Sequence, residues 1–269
     1  MADFQVYPFR WVKVRFSPSG SPSTQVEWEL DPAFHDPEPY SFQLLVSSDS
    51  PTGTFTPVGP PVVNTFVAFD PQQRLYGKFL ETYYKLRLTT PRGTYESAPA
   101  SAYSGTNFRD WRIIREMYRQ DLKKLKRYTG AYDARLLKRK RAGQLCPVCG
   151  DSITEEARQA KDTTCYGTGI LGGYYPDVEF WVDLGNEQFT EKIDLQYAGT
   201  AKKSPQQVLC PALYFVTTED IIVLRRSGVR LHVNQVAVVQ SLRSVPIRLA
   251  LTVELLPFSD VAYSIPVTW

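Results

Sequence analysis

The feature that most constrains this chain is a set of three cysteines and one aspartate: Cys146-Pro147-Val148-Cys149, then Asp162-Thr163-Thr164-Cys165. A Cys-x-x-Cys lets two thiolates from one tight turn face a single ion, and Gly150 suits the sharp turn that follows. A second ligand pair some 12–20 residues later completes a tetrahedral shell, the pattern of structural zinc. Twelve residues separate Cys149 from Asp162. Aspartate occupies the slot where a cysteine is expected, and a carboxylate oxygen also ligates zinc. Cys146, Cys149, Asp162 and Cys165 are therefore expected to hold a structural zinc as a Cys₃Asp site. Two other chemistries suit the same residues. One is a site that has lost its metal and packs without it. The other is a redox Cys-x-x-Cys, although no thioredoxin-like βαβ pattern surrounds it. Cys210 reads as a small buried apolar residue, and His232, in an alternating strand, as structural.

Composition narrows the class. With 43% hydrophobic and 22% charged residues, the chain of 269 residues is expected to fold as a globular protein. Four cysteines are too few for a disulfide scaffold. No apolar run approaches the roughly 20 residues of a membrane helix. Met1-Ala2-Asp3-Phe4-Gln5 lacks the basic start and apolar core of a signal peptide. No membrane partner is expected. Two histidines, His35 and His232, lie far apart. There is no Ser-His-Asp order, no His-Glu-x-x-His, no phosphate-binding Gly-x-x-x-x-Gly-Lys-Ser/Thr and no convincing carboxylate pair. The expected function is not enzymatic.

The fold class expected is mainly β. Residues 10–100 read as about seven short strands with turns between them. Gln25–Leu30, Tyr40–Val46, Phe55–Val58, Val62–Phe69, Tyr83–Thr89 and Thr94–Ala98 carry the alternation or β-branched content of strands. This predicts a β-sandwich over 1–104. Residues 105–143 read as a basic helical linker. Trp111, Ile114, Tyr118, Leu122 and Leu125 mark one face, Thr106 or Asn107 could cap it, and a second short helix is expected over Ala131–Arg141. A zinc-type loop follows over 144–175. A small C-terminal β-barrel or sandwich over 176–269 uses Val178–Asp183, Leu213–Thr217, Asp220–Leu224, Arg230–Val238, Val245–Leu255 and Val261–Val267.

Two resemblances add to this. Trp28, the Tyr84-x-Leu86-x-Leu88 strand and the closing Gly93-Thr94-Tyr95-Glu96-Ser97 make residues 1–104 resemble a fibronectin type III domain. Such sandwiches usually display or bind. The second match spans about 40 residues. It runs Leu136-Leu137-Lys138-Arg139-Lys140-Arg141, Gly143, Cys146-Pro147-x-Cys149-x-Asp151, then Cys165-Tyr166-Gly167-Thr168-Gly169-x-x-Gly172-Gly173-Tyr174. This string resembles a motif of tailed-bacteriophage virion proteins, in which a Cys-x-x-Cys-Tyr-Gly-Thr-Gly-x-x-Gly-Gly-Tyr element pairs with an upstream Cys-Pro-x-Cys. Asp162 departs from it at the first cysteine of the second pair. Cys165–Gly169 also resembles half of a repeat of DnaJ-type chaperones, which carry several repeats where this chain has one and a fraction. The virion resemblance implies a structural component of the head-to-tail neck, connector or tail. It would form a homo-oligomeric ring beside portal, connector, tail-terminator or tail subunits, in the virion and in the host cytoplasm during assembly.

Charge is unevenly placed. Between Arg109 and Arg141 there are 13 basic and 4 acidic residues, a net +9, against −6 for the remainder. The partner-contact residues expected are Arg112, Arg115, Arg119, Lys123, Lys124, Lys126, Arg127, Lys138, Arg139, Lys140 and Arg141. They suit a solvated face, an acidic partner subunit or packaged DNA. The alternative function is a nucleic-acid-binding zinc-ribbon protein; a tail or baseplate component of the same virion is the other.

Overall fold

The computed structural model describes residues 7–16, 24–72, 82–101, 108–127, 131–150, 162–184, 206–243 and 245–269. The expected cap residues Thr106 and Asn107, and Asp151 of the motif, lie outside these. The described chain is mainly β, with a single α-helix and three sheets. No described helix is long and apolar enough to cross a membrane.

The chain divides into two compact units, and neither is a continuous segment. The first comprises residues 1–115 and 140–175, the second 116–139 and 176–269. The metal loop thus clusters with the N-terminal sheets, and most of the helix with the C-terminal ones. The boundaries read from sequence make the helix part of a linker over 105–143 and the loop a separate segment over 144–175.

The first unit holds seven strands: β1 (Phe9–Phe16), β2 (Thr24–Leu30), β3 (Ser41–Ser47), β4 (Thr56–Val63), β5 (Val67–Asp70), β6 (Tyr83–Thr89) and β7 (Thr94–Glu96). They form antiparallel sheets of order β1-β2-β5 and β4-β3-β6-β7. The inner faces meet where Trp28 of β2 packs on Phe42 of β3, ring centroids 4.8 Å apart. Tyr84, Leu86 and Leu88 are fully buried at a spacing of two, as β6 requires to turn one face inward. The stretch expected as one strand over Val62–Phe69 is two. Asn64 adopts φ 48°, and the side-chain oxygen of Asn64 accepts the Tyr40 N–H, so the chain turns before β5. Alternation in β2 suggests a half-wet strand, yet all seven residues are buried. The Glu27 carboxylate is tolerated there because Arg15 Nε lies 2.8 Å from it.

The second unit holds α1 (Phe108–Arg127) from Glu116 onwards, with β8 (Tyr132–Leu137), β9 (Val178–Val182), β10 (Gln206–Pro211), β11 (Ile221–Leu224), β12 (Arg230–Leu242) and β13 (Val245–Leu255). The sheet order is β10-β13-β12-β11-β8-β9. Between its two edge strands, Asp183, just past β9, and Leu209 of β10 exchange backbone N–H···O bonds of 2.8 and 3.0 Å. Phe180, Val208, Ile222, Leu231, Ile247 and Leu251 are completely buried. The second part of α1 lies on β13: the Tyr118 hydroxyl donates to the Pro246 carbonyl, and Arg248 donates to Asp121 at 2.8 Å.

Three expected elements differ. The helix expected over Ala131–Arg141 is β8, because this stretch sits between β9 and β11 and gives its backbone bonds to both. Leu213–Thr217 is not a strand. Its N–H groups turn inward on local acceptors, Leu213 to the Pro211 carbonyl, Val216 to that of Tyr214 and Thr217 to the Asp220 carboxylate. Val261–Val267 is not a strand either. Asp260 caps a 3₁₀ turn over Val261–Ser264, and the Arg230 guanidinium collects the carbonyls of Ala262, Tyr263 and Ile265. Strand β10 escaped the sequence reading.

Candidate metal centre

Cys146, Cys149, Asp162 and Cys165 come together, their four candidate ligand atoms within 4.8 Å of one another. Cys149 Sγ and Cys165 Sγ are 3.0 Å apart, and Asp162 Oδ2 lies 3.1 Å from Cys146 Sγ and 3.5 Å from Cys165 Sγ. A tetrahedron with Zn–S bonds of about 2.3 Å has S···S edges of roughly 3.8 Å. The observed set straddles that size, so one ion fits the donors by shifts of about an ångström or less. The three cysteines are buried and Asp162 is half-buried. The donor set is therefore a sulfur floor with a carboxylate towards solvent, and it could hold a metal ion.

Local backbone chemistry shapes this pocket. Gly150 N–H donates to the Cys146 carbonyl, closing the turn between the first two ligands. A Cβ at Gly150 would stand 2.6 Å from that carbonyl oxygen. The second hairpin returns through Gly173, at φ 59°, where a Cβ would stand 2.4 Å from the Cys165 carbonyl oxygen. Both positions exclude any side chain. The halves are tied by Cys146 N–H to Gly169 O at 2.8 Å and by a bridge between Leu145 and Ile170. Thr168 is buried, its hydroxyl donating to the Cys165 carbonyl at 2.7 Å.

Electrostatics follow from burial. Burial, and next the contact with Cys165, pushes the Cys149 thiol far above its ordinary value. The Thr164 N–H, followed by the Cys146 thiol, holds the Asp162 carboxyl far below the usual carboxylate range. Asp162 thus supplies a ready negative charge, and Cys149 keeps its proton until a cation displaces it.

The loop is bonded to the first unit's strands and turns. Gly143 N–H donates to the Phe34 carbonyl, and the Gly143 carbonyl lies 3.1 Å from His35 Nδ1. Lys140 Nζ lies 2.6 Å from Glu38 Oε1 and also donates to the Leu171 carbonyl. Tyr175 packs on Phe66 at 5.6 Å. Phe34, His35 and Glu38 were absent from the site residues read from sequence, and nothing in their spacing marks them.

The basic residues separate into two groups. Arg112, Arg119, Lys123, Lys124, Lys126 and Arg127 are exposed on α1, and Arg115 is half-buried. Lys126 is bonded to Glu179 at 2.7 Å and lies over Trp181. Lys138 is buried, with Nζ on Asp220 Oδ2 at 3.0 Å, the Phe215 carbonyl at 2.8 Å and Thr217 Oγ1 at 2.7 Å. Arg139 pairs with Glu219 at 2.5 Å, Lys140 is buried on Glu38, and Arg141 is half-buried. Lys138 and Lys140 therefore leave the expected contact set, since their charge is spent inside the chain. Cys210 is buried in β10, apart from the metal group, and His232 is bonded to Asn234 on its own strand. Comparison with protein-family models, curated proteins and solved structures finds no match to this chain.

Proposed function

We propose that this chain is a structural component of a tailed-bacteriophage virion, assembling with copies of itself and other virion subunits at the head-to-tail neck or connector, with zinc in the Cys₃Asp site. One observation carries the reading. The described residues of the motif that bears the virion resemblance, 140–150 and 162–174, surround the ligand set and are bonded to Phe34, His35 and Glu38. Its glycines and its threonine serve packing, which suits an architectural role. Zinc would close a loop too small to bury a core of its own. Strand orders β1-β2-β5 and β4-β3-β6-β7 support the fibronectin type III-like reading. The Tyr84 hydroxyl there bonds the Asp70 carboxylate at 3.0 Å. The Asp183–Leu209 bonds support reading the six-stranded sheet as a small barrel.

The test is fractionation of lysed host culture on a density gradient. The chain should band with intact particles and remain in the neck-bearing fraction after tails are sheared. Recovery solely from the particle-free host extract would overturn the proposal.

A further inference from the structure

Helix α1 has two opposite faces. At 3.6 residues per turn, Ile114, Tyr118, Asp121 and Leu125 fall on one side, and all four are buried. Arg119, Lys123, Lys126 and Arg127 fall on the other and are exposed, and Arg109 and Arg112 continue the stripe on the same helix. Arg109 to Arg127 spans about 27 Å of axis. One acidic residue interrupts this face, Glu116, 3.8 Å from Arg119. The helix's other carboxylates, Asp110 and Asp121, are buried, and Asp121 is bonded to Arg248. Among the described residues of this stripe, only Arg119 meets a carboxylate on its own helix, and Lys126 is bonded to Glu179 of β9, which leaves Arg109, Arg112, Lys123 and Arg127 as the main outward charges.

Its composition separates two kinds of acidic partner. A protein interface needs apolar or aromatic anchors at its centre, ringed by polar groups. This stripe has none; Ile113 is exposed, but on the flank. A phosphate backbone needs only cations at intervals along a groove or ridge, with no base contact. We propose that this face of α1 lies against the phosphate backbone of double-stranded nucleic acid and does not read its sequence. The proposal deepens the virion reading, on which it rests for the presence of packaged DNA near the chain.

The experiment uses the purified full-length chain and a fluorescent random-sequence duplex, followed by anisotropy over a salt series. With four or five phosphates engaged, log K should fall with log salt at a slope of about −4. Lys123→Glu and Arg119→Glu should each weaken binding about ten-fold at low salt and flatten that slope by roughly one to two. Arg226→Glu makes the same charge change at an exposed turn elsewhere and should leave binding within about two-fold. No binding at low salt, equal loss in all three variants, or strong preference for one duplex sequence would each overturn the proposal. The particle fractionation reads a different property, so a chain present in virions that ignores DNA sinks this inference alone.

Discussion

Two lysines from the same basic run have opposite energetic meanings. Lys138 is buried against Asp220, the Phe215 carbonyl and Thr217, whereas Lys123 is exposed on α1. Lys138→Ala leaves a buried carboxylate without its cation, and urea denaturation should show a loss of about 3–5 kcal/mol. Lys123→Ala should change stability by no more than about 0.5 kcal/mol. The double change Lys138→Met with Asp220→Leu should not restore stability. Asp220 also accepts the backbone N–H groups of Thr217 and Arg139, which would be orphaned. At the metal centre, Gly173→Ala meets the Cys165 carbonyl and a left-handed backbone, and should cost at least about 2 kcal/mol. Elemental analysis of protein purified without added metal should find about one zinc per chain, and Cys149→Ser should lose it together with thermal stability.

Strands were legible where a period of two was visible. Tyr84-x-Leu86-x-Leu88 alternates, and β6 buries those three residues. Tertiary context decided the others. Tyr132–Leu137 carries helix-compatible leucines and charges, but the pairing of β9 on one side and β11 on the other makes it a strand. The segment Val261–Val267 is apolar enough for a strand. Its carbonyls belong instead to Arg230, some thirty residues earlier, and no local pattern announces that contact. The helix itself was visible as a 3.6-residue stripe, because its buried face packs on one sheet. Its attachment is testable. Tyr118→Phe removes the bond to the Pro246 carbonyl and should cost about 0.5–1.5 kcal/mol, whereas Leu125→Ala should cost about 2–4 kcal/mol. Circular dichroism during urea unfolding separates the two. The ligand set was legible because its residues cluster in sequence. Its docking residues were not, since Lys140 and Glu38 are 102 positions apart.

At the scale of the molecule, two compact units suggest two responses to stress. Chelation should lower the calorimetric transition of the unit that contains the Cys₃Asp group and leave that of the six-stranded unit in place; a single transition moving as a whole would contradict this. Alkaline pH should act on the same unit. Burial first, then the nearby Glu38 carboxylate, pushes the phenols of Tyr40 and Tyr175 well above their ordinary value. Groups raised in the fold keep their protons longer than in the unfolded chain. Their stabilisation is complete below about pH 10 and is lost as pH rises towards the folded values. Tyrosinate absorbance should therefore lag for these residues and then appear together with unfolding.

The interleaving of the two units also sets a timetable for synthesis. The chain leaves the first unit after residue 115, returns at 140 and departs again after 175. His35 emerges from the ribosome 108 residues ahead of Gly143, which it contacts. At about 5–20 residues per second, that is a wait of roughly 5–20 s. By its end the helix and β8 have also been made, and they await a sheet whose remaining strands follow the metal loop. The first unit is complete in sequence at residue 175, so the ligand set can close while β9 to β13 of the second unit are still to be made.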